Sequence, residues 1–276
     1  MTIIEELIKI FSYSFMVHAL LIGVAVAISS SFIGPFLVLK RFSMIGHGLS
    51  HVAFAGIAIG LLLNTAPLLV AMVIVIGVSI FILKLNETAK LQGDAAIGLT
   101  AAVAMALGTV LASIGGGFNV DLFDFLFGSI LINTFQEVVL ALVFSLFTTV
   151  TVILLYHDLF AMTFEEDYAL VSGIKTRQLN TILAILVGVT VVIGIRAMGT
   201  LLISSLIIFP TIIAMQFSQG FKRTIIIATV SSVTIIVFGL ILSYFLEWPS
   251  GSTIVILYGV VFLTVYVYQR IFRSQG

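Results

Sequence analysis

The sequence predicts an all-α, polytopic integral membrane protein: a helical bundle of eight or nine transmembrane helices with one short re-entrant or interfacial helix. Three observations carry that expectation. Of 276 residues, 61% are hydrophobic and only 9% are charged, far from the balance of a soluble globular chain. The apolar residues gather into runs long enough to cross a bilayer, separated by short polar connections. Basic residues fall on alternate connections, as they do on the cytoplasmic side of polytopic chains. The same composition excludes several classes of function. The formal net charge is zero, so no nucleic-acid partner is expected. Cysteine is absent, which removes disulfides, thiolate metal sites and thiol redox chemistry. Glu5 and Glu6 stand where a cleaved signal would carry bases, so a signal peptide is not expected. No linker separates two folding units, and residues 1–276 are expected to form a single transmembrane domain.

In chain order, Ile3 to Phe11 is a short amphipathic piece carrying Glu5, Glu6 and Lys9. The first spanning run extends from about Val17 to Leu39 and is closed by Lys40 and Arg41, with His18 expected at the interface. A second covers about Ser43 to Leu63, and a third about Pro67 to Leu83. Asp94 opens the fourth as an expected N-cap, and that run reaches about Ile114. Gly115, Gly116 and Gly117 make a turn before Asn119, Asp121 and Asp124. Phe125 to Leu131 is too short to span and reads as the re-entrant or interfacial helix, sheltered by the rest of the protein. A fifth run covers about Glu137 to Tyr156. The longest polar connection follows, with a short helix expected over Phe164 to Val171 and a break at Gly173. Four more runs lie at about Leu179–Ile195, Gly199–Phe217, Thr224–Phe245 and Thr253–Tyr268. The tight turn at Arg196 leaves both eight and nine passes open. Pro210 lacks an amide hydrogen and should kink its helix, with Ser204 and Ser205 placed to bond the freed carbonyls.

Lys40/Arg41, Lys84/Lys90, Lys175/Arg177, Lys222/Arg223 and Arg270/Arg273 mark the connections assigned to the cytoplasm. Asn64, Asp121, Asp124 and Glu247 fall on the other side, with Arg196 its one strong base. The N-terminus is then outside and the C-terminus inside. The connection from Tyr156 to Arg177 is the largest on the cytoplasmic side, and it offers acids, bases and aromatics to a cytoplasmic partner.

The candidate site lies in the second span, in Gly46-His47-Gly48-Leu49-Ser50-His51. Positions i and i+4 of a helix share a face, so His47 and His51 come together, with Ser50 about one hundred degrees round. Two imidazoles one turn apart can share a zinc, copper, iron or nickel ion. They can equally be buried histidines that hydrogen-bond to a neighbouring helix. An ionisable group inside a membrane span is costly and points to function, which favours the ligand reading. His47, His51 and Ser50 are therefore the candidate metal-binding residues.

The chain resembles the transmembrane permease subunit of the manganese/zinc/iron family of ABC importers, from about residue 14 to residue 270. The resemblance rests on Gly46-His47-Gly-Leu-Ser50-His51 after Arg41, Asp94-Ala-Ala-Ile-Gly98, Phe127-Gly128-Ser-Ile-Leu131 and Gly199 to Pro210. It also rests on Phe160-Ala161 with Ala169 to Ile174, similar to the loop that docks on the ATPase in such importers. The family commonly has Asp at the position of His47, where this chain supplies a second nitrogen ligand. The resemblance implies a homodimer enclosing one pathway, cytoplasmic ATPase subunits and an extracytoplasmic metal-binding lipoprotein, in a bacterial plasma membrane. The expected cargo is a divalent metal ion, zinc ahead of manganese and iron third, with no tightly bound cofactor.

The chain lacks a Gly-x-x-x-x-Gly-Lys-[Ser/Thr] stretch, so ATP hydrolysis belongs to a separate subunit and the chain is not an enzyme. A similar architecture importing a metal chelate or cobalamin is the alternative. A secondary carrier would place carboxylates in the spans, which are nearly free of them. An intramembrane metalloenzyme would want a base between the histidines, where Gly48, Leu49 and Ser50 stand.

Overall fold

Inside a bilayer each backbone amide must find its partner within the protein, and a helix does this locally. The structure, a computed structural model, describes residues 10–89, 92–115, 134–218 and 220–273. Eleven helices follow one another among these residues. They are α1 (Ser14–Leu39), α2 (Ile45–Leu62), α3 (Pro67–Ala89), α4 (Gly93–Ile114), α5 (Phe135–Leu154) and α6 (Tyr156–Phe164). Then come α7 (Glu166–Val171), α8 (Thr176–Met198), α9 (Thr200–Phe217), α10 (Phe221–Leu246) and α11 (Ser250–Arg273). All except α6 and α7 are long and apolar enough to span, which gives nine candidate spans among the described residues. The expected helix at Phe125–Leu131 and most of the amphipathic piece at Ile3–Phe11 lie outside the described residues.

The question of eight or nine passes is settled at one residue. Helix α8 runs to Met198 and α9 starts at Thr200, so Gly199 alone turns the chain, at φ 85° and ψ 167°. That region favours glycine because a Cβ would crowd the backbone. Both flanking helices are full spans. Three other ends close with a left-handed non-glycine residue, Arg41, Asn64 and Glu247. In each the next amide reaches back five residues, as Phe42 N–H does to the Leu37 carbonyl at 2.9 Å, satisfying a carbonyl the helix leaves open.

Helices α1 and α8 bury most of their surface and form the centre of the bundle, whereas α4 turns Leu99, Val103, Leu107 and Val110 outward. Helix α1 packs on α5, α9 and α10; α2 lies between α3 and α4; α11 packs on α9 and α10. Hydroxyls cross several of these contacts. Ser29 meets Ser145 at 3.3 Å, Ser31 donates to the Ala228 carbonyl at 3.3 Å, and Ser79 donates to that of Ala184 at 3.0 Å. Each such bond contributes on the order of 0.6 kcal/mol in a membrane, so they orient the helices while close packing supplies most of the association.

Three local expectations change. Asp94 is in the first turn of α4 and the cap position belongs to Gln92; the carboxylate serves the positive end of the helix instead. The connection after α5 holds two helices, because Glu165 adopts an extended conformation (φ −151°, ψ 90°) that breaks the run between Phe164 and Glu166; Gly173 ends the second, at φ 82°. In α9, the carbonyl that Pro210 leaves without its amide is that of Leu206. Ser204 and Ser205 donate one turn earlier, to Thr200 and Leu201, each at 2.9 Å. A serine hydroxyl reaches the carbonyl four residues before it, so neither can serve Leu206.

The connectivity predicts sidedness. With no native cysteine, Asp167→Cys should react with a membrane-impermeant maleimide only in opened cells, and Trp248→Cys in intact ones. External labelling at position 167 would invert the assigned orientation.

Candidate functional site

Helix α2 starts four residues after the left-handed Arg41, and its sequence alternates glycine with functional side chains. The glycines decide how near its neighbours come. A Cβ added at Gly46 would stand 2.9 Å from the Ile207 side chain and 3.4 Å from Ser204 Cα, both on α9. One added at Gly48 would stand 2.4 Å from Ile97 on α4. Farther along, Gly56 and Gly60 meet Ala71 and Pro67 of α3 backbone to Cβ position, at 2.7 and 2.5 Å. Helix α2 is thus wedged among three helices by residues without side chains.

His47 and His51 are left on the remaining face. His47 is exposed in the isolated chain and His51 half-buried. Their Nε2 atoms lie 3.4 Å apart, with ring centroids at 4.8 Å and planes at 83°. This separation is suited to shared coordination. Two nitrogens about 2.0–2.1 Å from one tetrahedral zinc stand roughly 3.3–3.4 Å apart. The same distance also accommodates one imidazole N–H donating to the other ring nitrogen.

Ser50 does not join that face. It is buried, and its hydroxyl donates to the His47 carbonyl at 2.6 Å. The hundred-degree offset read from the sequence turns it into the helix packing. Its bond fixes the backbone that carries His47. Among the described residues no third His, Asp or Glu completes a cluster, so this chain brings two nitrogen ligands together. His18 is elsewhere, half-buried on α1 with its ring 6.4 Å from that of Phe135. At the end of the bundle beyond His51, Arg196 pairs with Glu137 at 2.9 Å. The pair borders a cavity of about 470 Å³ walled by Ile57, Leu61, Pro67 and Leu68.

A second constellation escaped the sequence reading. Lys40, read there only as a sidedness marker, is nearly buried and donates to Asn180 Oδ1 at 2.7 Å. The Asn180 amide donates in turn to Glu166 Oε1 at 3.1 Å, and Lys40 Nζ stands 3.6 Å from Glu166 Oε2. The three residues clasp the end of α1, the start of α8 and the first turn of α7. A lysine after an apolar run and a lone asparagine at a helix start carry no periodic signal that would pair them. The Coulomb part is discounted because Glu166 is 45% exposed. The larger effect is that losing Asn180 strips a hydrogen bond from a nearly buried ammonium, at about 1–3 kcal/mol.

The family model for the ABC 3 transport family matches residues 12–269. The chain is 28% identical over 244 residues to the high-affinity zinc uptake system membrane protein of Haemophilus influenzae, covering 88% of this chain and 94% of that one. It is 25% identical over 256 residues to the manganese transport system membrane protein of Listeria monocytogenes, covering 93% and 91%. Among solved structures, PsaBC from Streptococcus pneumoniae, in complex with Fab, has the same fold at TM-score 0.85 and 24% identity, with both chains covered at 100%.

Two outcomes are expected from this geometry. Cysteines replacing Gly46 and Ser204 should form a disulfide on mild oxidation, since a Cβ at position 46 falls within 3.4 Å of Ser204 Cα; no cross-link in well-expressed protein would separate α9 from α2. Asn180→Ala should lower the stability of the detergent-solubilised protein by about 1–3 kcal/mol, read from thermal unfolding, while Asn180→Asp, which keeps an acceptor for Lys40, should cost less.

Proposed function

Because the chain belongs to the ABC 3 transport family, we propose that it forms the membrane pathway of an importer of divalent transition-metal ions, with zinc its preferred cargo. It is a membrane permease subunit and not an enzyme; hydrolysis of ATP belongs to a separate subunit. The observation that carries the proposal is the pair of imidazole nitrogens 3.4 Å apart on the open face of α2. Relatives named for zinc and for manganese support a metal cargo without choosing between them. The donor atoms favour zinc. Manganese suits oxygen ligands and stands lowest in the divalent affinity order, whereas imidazole suits zinc.

Two ligands do not fill a zinc coordination sphere, which normally holds four. A second copy of the chain, applied by a two-fold axis to the open face of α2, would contribute its own pair. The ion would then sit between protomers, at a site each half of which binds weakly. Weak half-sites suit transport, because an ion held tightly is not released. Neutral imidazole is the ligand, so protons compete with the ion, and the site weakens as the medium is acidified.

The coupling follows the clasp. Cytoplasmic ATPase subunits would dock on the Tyr156–Arg177 connection, with α7 as the contact helix. Glu166 at the start of α7 is joined through Asn180 to Lys40, and Lys40 is seven residues ahead of His47. A displacement of α7 by the closing ATPase pair would therefore move the α1–α2 corner that carries the histidines. An extracytoplasmic lipoprotein would deliver the ion at the opposite end, where Glu137 and Arg196 border the cavity.

Uptake of zinc and manganese in competition, by cells carrying the whole transporter, tests the site. His51→Ala should abolish uptake, and His47→Asp should shift preference toward manganese. Full zinc uptake by the double alanine variant would end the ligand assignment. For the clasp, Lys40→Met should reduce metal-stimulated ATP hydrolysis while leaving metal affinity unchanged; equal loss of both would make Lys40 a structural residue only.

A further inference from the structure

At the cytoplasmic end of the bundle, the corner between α5 and α6 faces the first turns of α10 across two adjoining hollows. One has a volume of about 340 Å³ and the other about 590 Å³, and Tyr156, His157 and Lys222 line both. The smaller hollow runs toward the membrane centre between Phe32, Ile153 and Ile226. The larger opens beside Phe160, Phe221 and Arg223. Lys222 lies over the Tyr156 ring, with Nζ 5.4 Å from its centroid. Among the described residues neither Lys222 nor Arg223 is in an ion pair, and both are exposed. The acid next to this corner, Asp158, is exposed in the first turn of α6 and does not line either hollow.

We propose that this groove is a binding site for one anionic phospholipid, its phosphate on Lys222 and Arg223 and an acyl chain along Ile153 and Ile226. Depth and charge together select this occupant. Phe32 stands seven residues before Leu39, the last residue of α1, which places the inner end of the groove roughly 10 Å into the span at 1.5 Å per residue. A cytoplasmic protein does not reach that depth; an acyl chain does. The wall there is apolar, with Ile153 and Ile226 more than half exposed, so the groove needs an apolar occupant. The rim carries two fixed positive charges and an imidazole, and among the described residues no carboxylate lines it, which selects an anionic headgroup over a zwitterionic one. The aromatic cluster fixes the rim. Phe221 packs on Phe36, Tyr156, Phe160 and Phe164, with centroids 4.8–6.0 Å apart, so the start of α10 is held against α6. A lipid bridging them would brace the connection that leads to α7.

The test uses the whole permease–ATPase complex, delipidated in mild detergent and titrated with dioleoylphosphatidylglycerol or dioleoylphosphatidylcholine, with bound lipid counted by native mass spectrometry. One phosphatidylglycerol should remain per permease chain, bound roughly twenty-five-fold more tightly than phosphatidylcholine, about fivefold for each base. Lys222→Gln with Arg223→Gln should reduce it to the phosphatidylcholine level. Ile226→Trp, which fills the apolar end and keeps both bases, should weaken both lipids. Equal binding of the two lipids by the native chain overturns the proposal, as does undiminished phosphatidylglycerol on the double variant. Displacement by equimolar inorganic phosphate would make this a free-phosphate site and also overturn it. Loss of the ATPase subunit from the double variant, with lipid binding unchanged, would identify the rim as protein-docking surface and overturn it too.

Discussion

The close approach of helices around α2 is the constraint on which the rest of the structure depends. Lipid tails are as apolar as leucine, so helices in a bilayer gain little by hiding apolar surface from it; they associate through tight packing and a few polar contacts. Gly46 and Gly48 let α9 and α4 approach on either side of His47, and Gly56 and Gly60 let α3 lie against the far half of the helix. A side chain at Gly56 or Gly60 would meet the α3 backbone and push that helix outward, whereas at Gly46 or Gly48 it would meet first the side chains of Ile207 and Ile97. Overpacking of this kind costs on the order of 1–3 kcal/mol, and a displacement of α2 would also carry the imidazoles away from their present spacing. The packing that stabilises the bundle and the geometry of the histidine pair share one cause.

Polar groups are few, and their placement separates two roles. Ser29, Ser31, Ser79 and Ser232 bond across helix contacts and serve packing. Among the described residues, the imidazoles of His47 and His51 bond to each other, on a face of α2 where His47 is exposed and His51 half-buried. A charged side chain at the centre of a bilayer costs about 2.5–3.5 kcal/mol by insertion scales. A neutral imidazole avoids most of that cost and still carries a lone pair that can serve a cation. Histidine also departs here from the carboxylate to which the chain's resemblance points. In the proposed site this exchange would remove a fixed negative charge and make nitrogen the donor, which is the basis for placing zinc ahead of manganese.

The two ends of the molecule are built differently. At one, Glu137 satisfies both the Thr134 cap and Arg196, so acid and base are mutually neutralised beside the cavity. At the other, Lys40, Asn180 and Glu166 tie three helices together next to the connection proposed to meet the ATPase. The nearly buried ammonium holds the end of α1 to α8 through Asn180, and the Asn180–Glu166 bond extends that link to α7. Such a link is what a transmission element needs, since a floppy connection would absorb the displacement it is meant to convey.

The residues themselves determined the class of fold, the order and approximate bounds of nine apolar runs that left eight or nine passes open, and the face shared by His47 and His51. These follow from apolar run length, charge placement and helical periodicity, all local properties of the chain. The same local signals failed at Arg196, where only the left-handed Gly199 shows that two complete helices meet, and at Glu165, where one expected helix is two. Ser50 was placed on the right helix and read as a candidate ligand, yet packing against neighbouring helices turned its hydroxyl to a backbone carbonyl. Lys40, Asn180 and Glu166 were invisible as a unit because 140 residues separate the first two. Tertiary structure alone decided those pairings: a periodic pattern tells a residue which way to face along its own helix, and only the packing of helices tells it what it will meet.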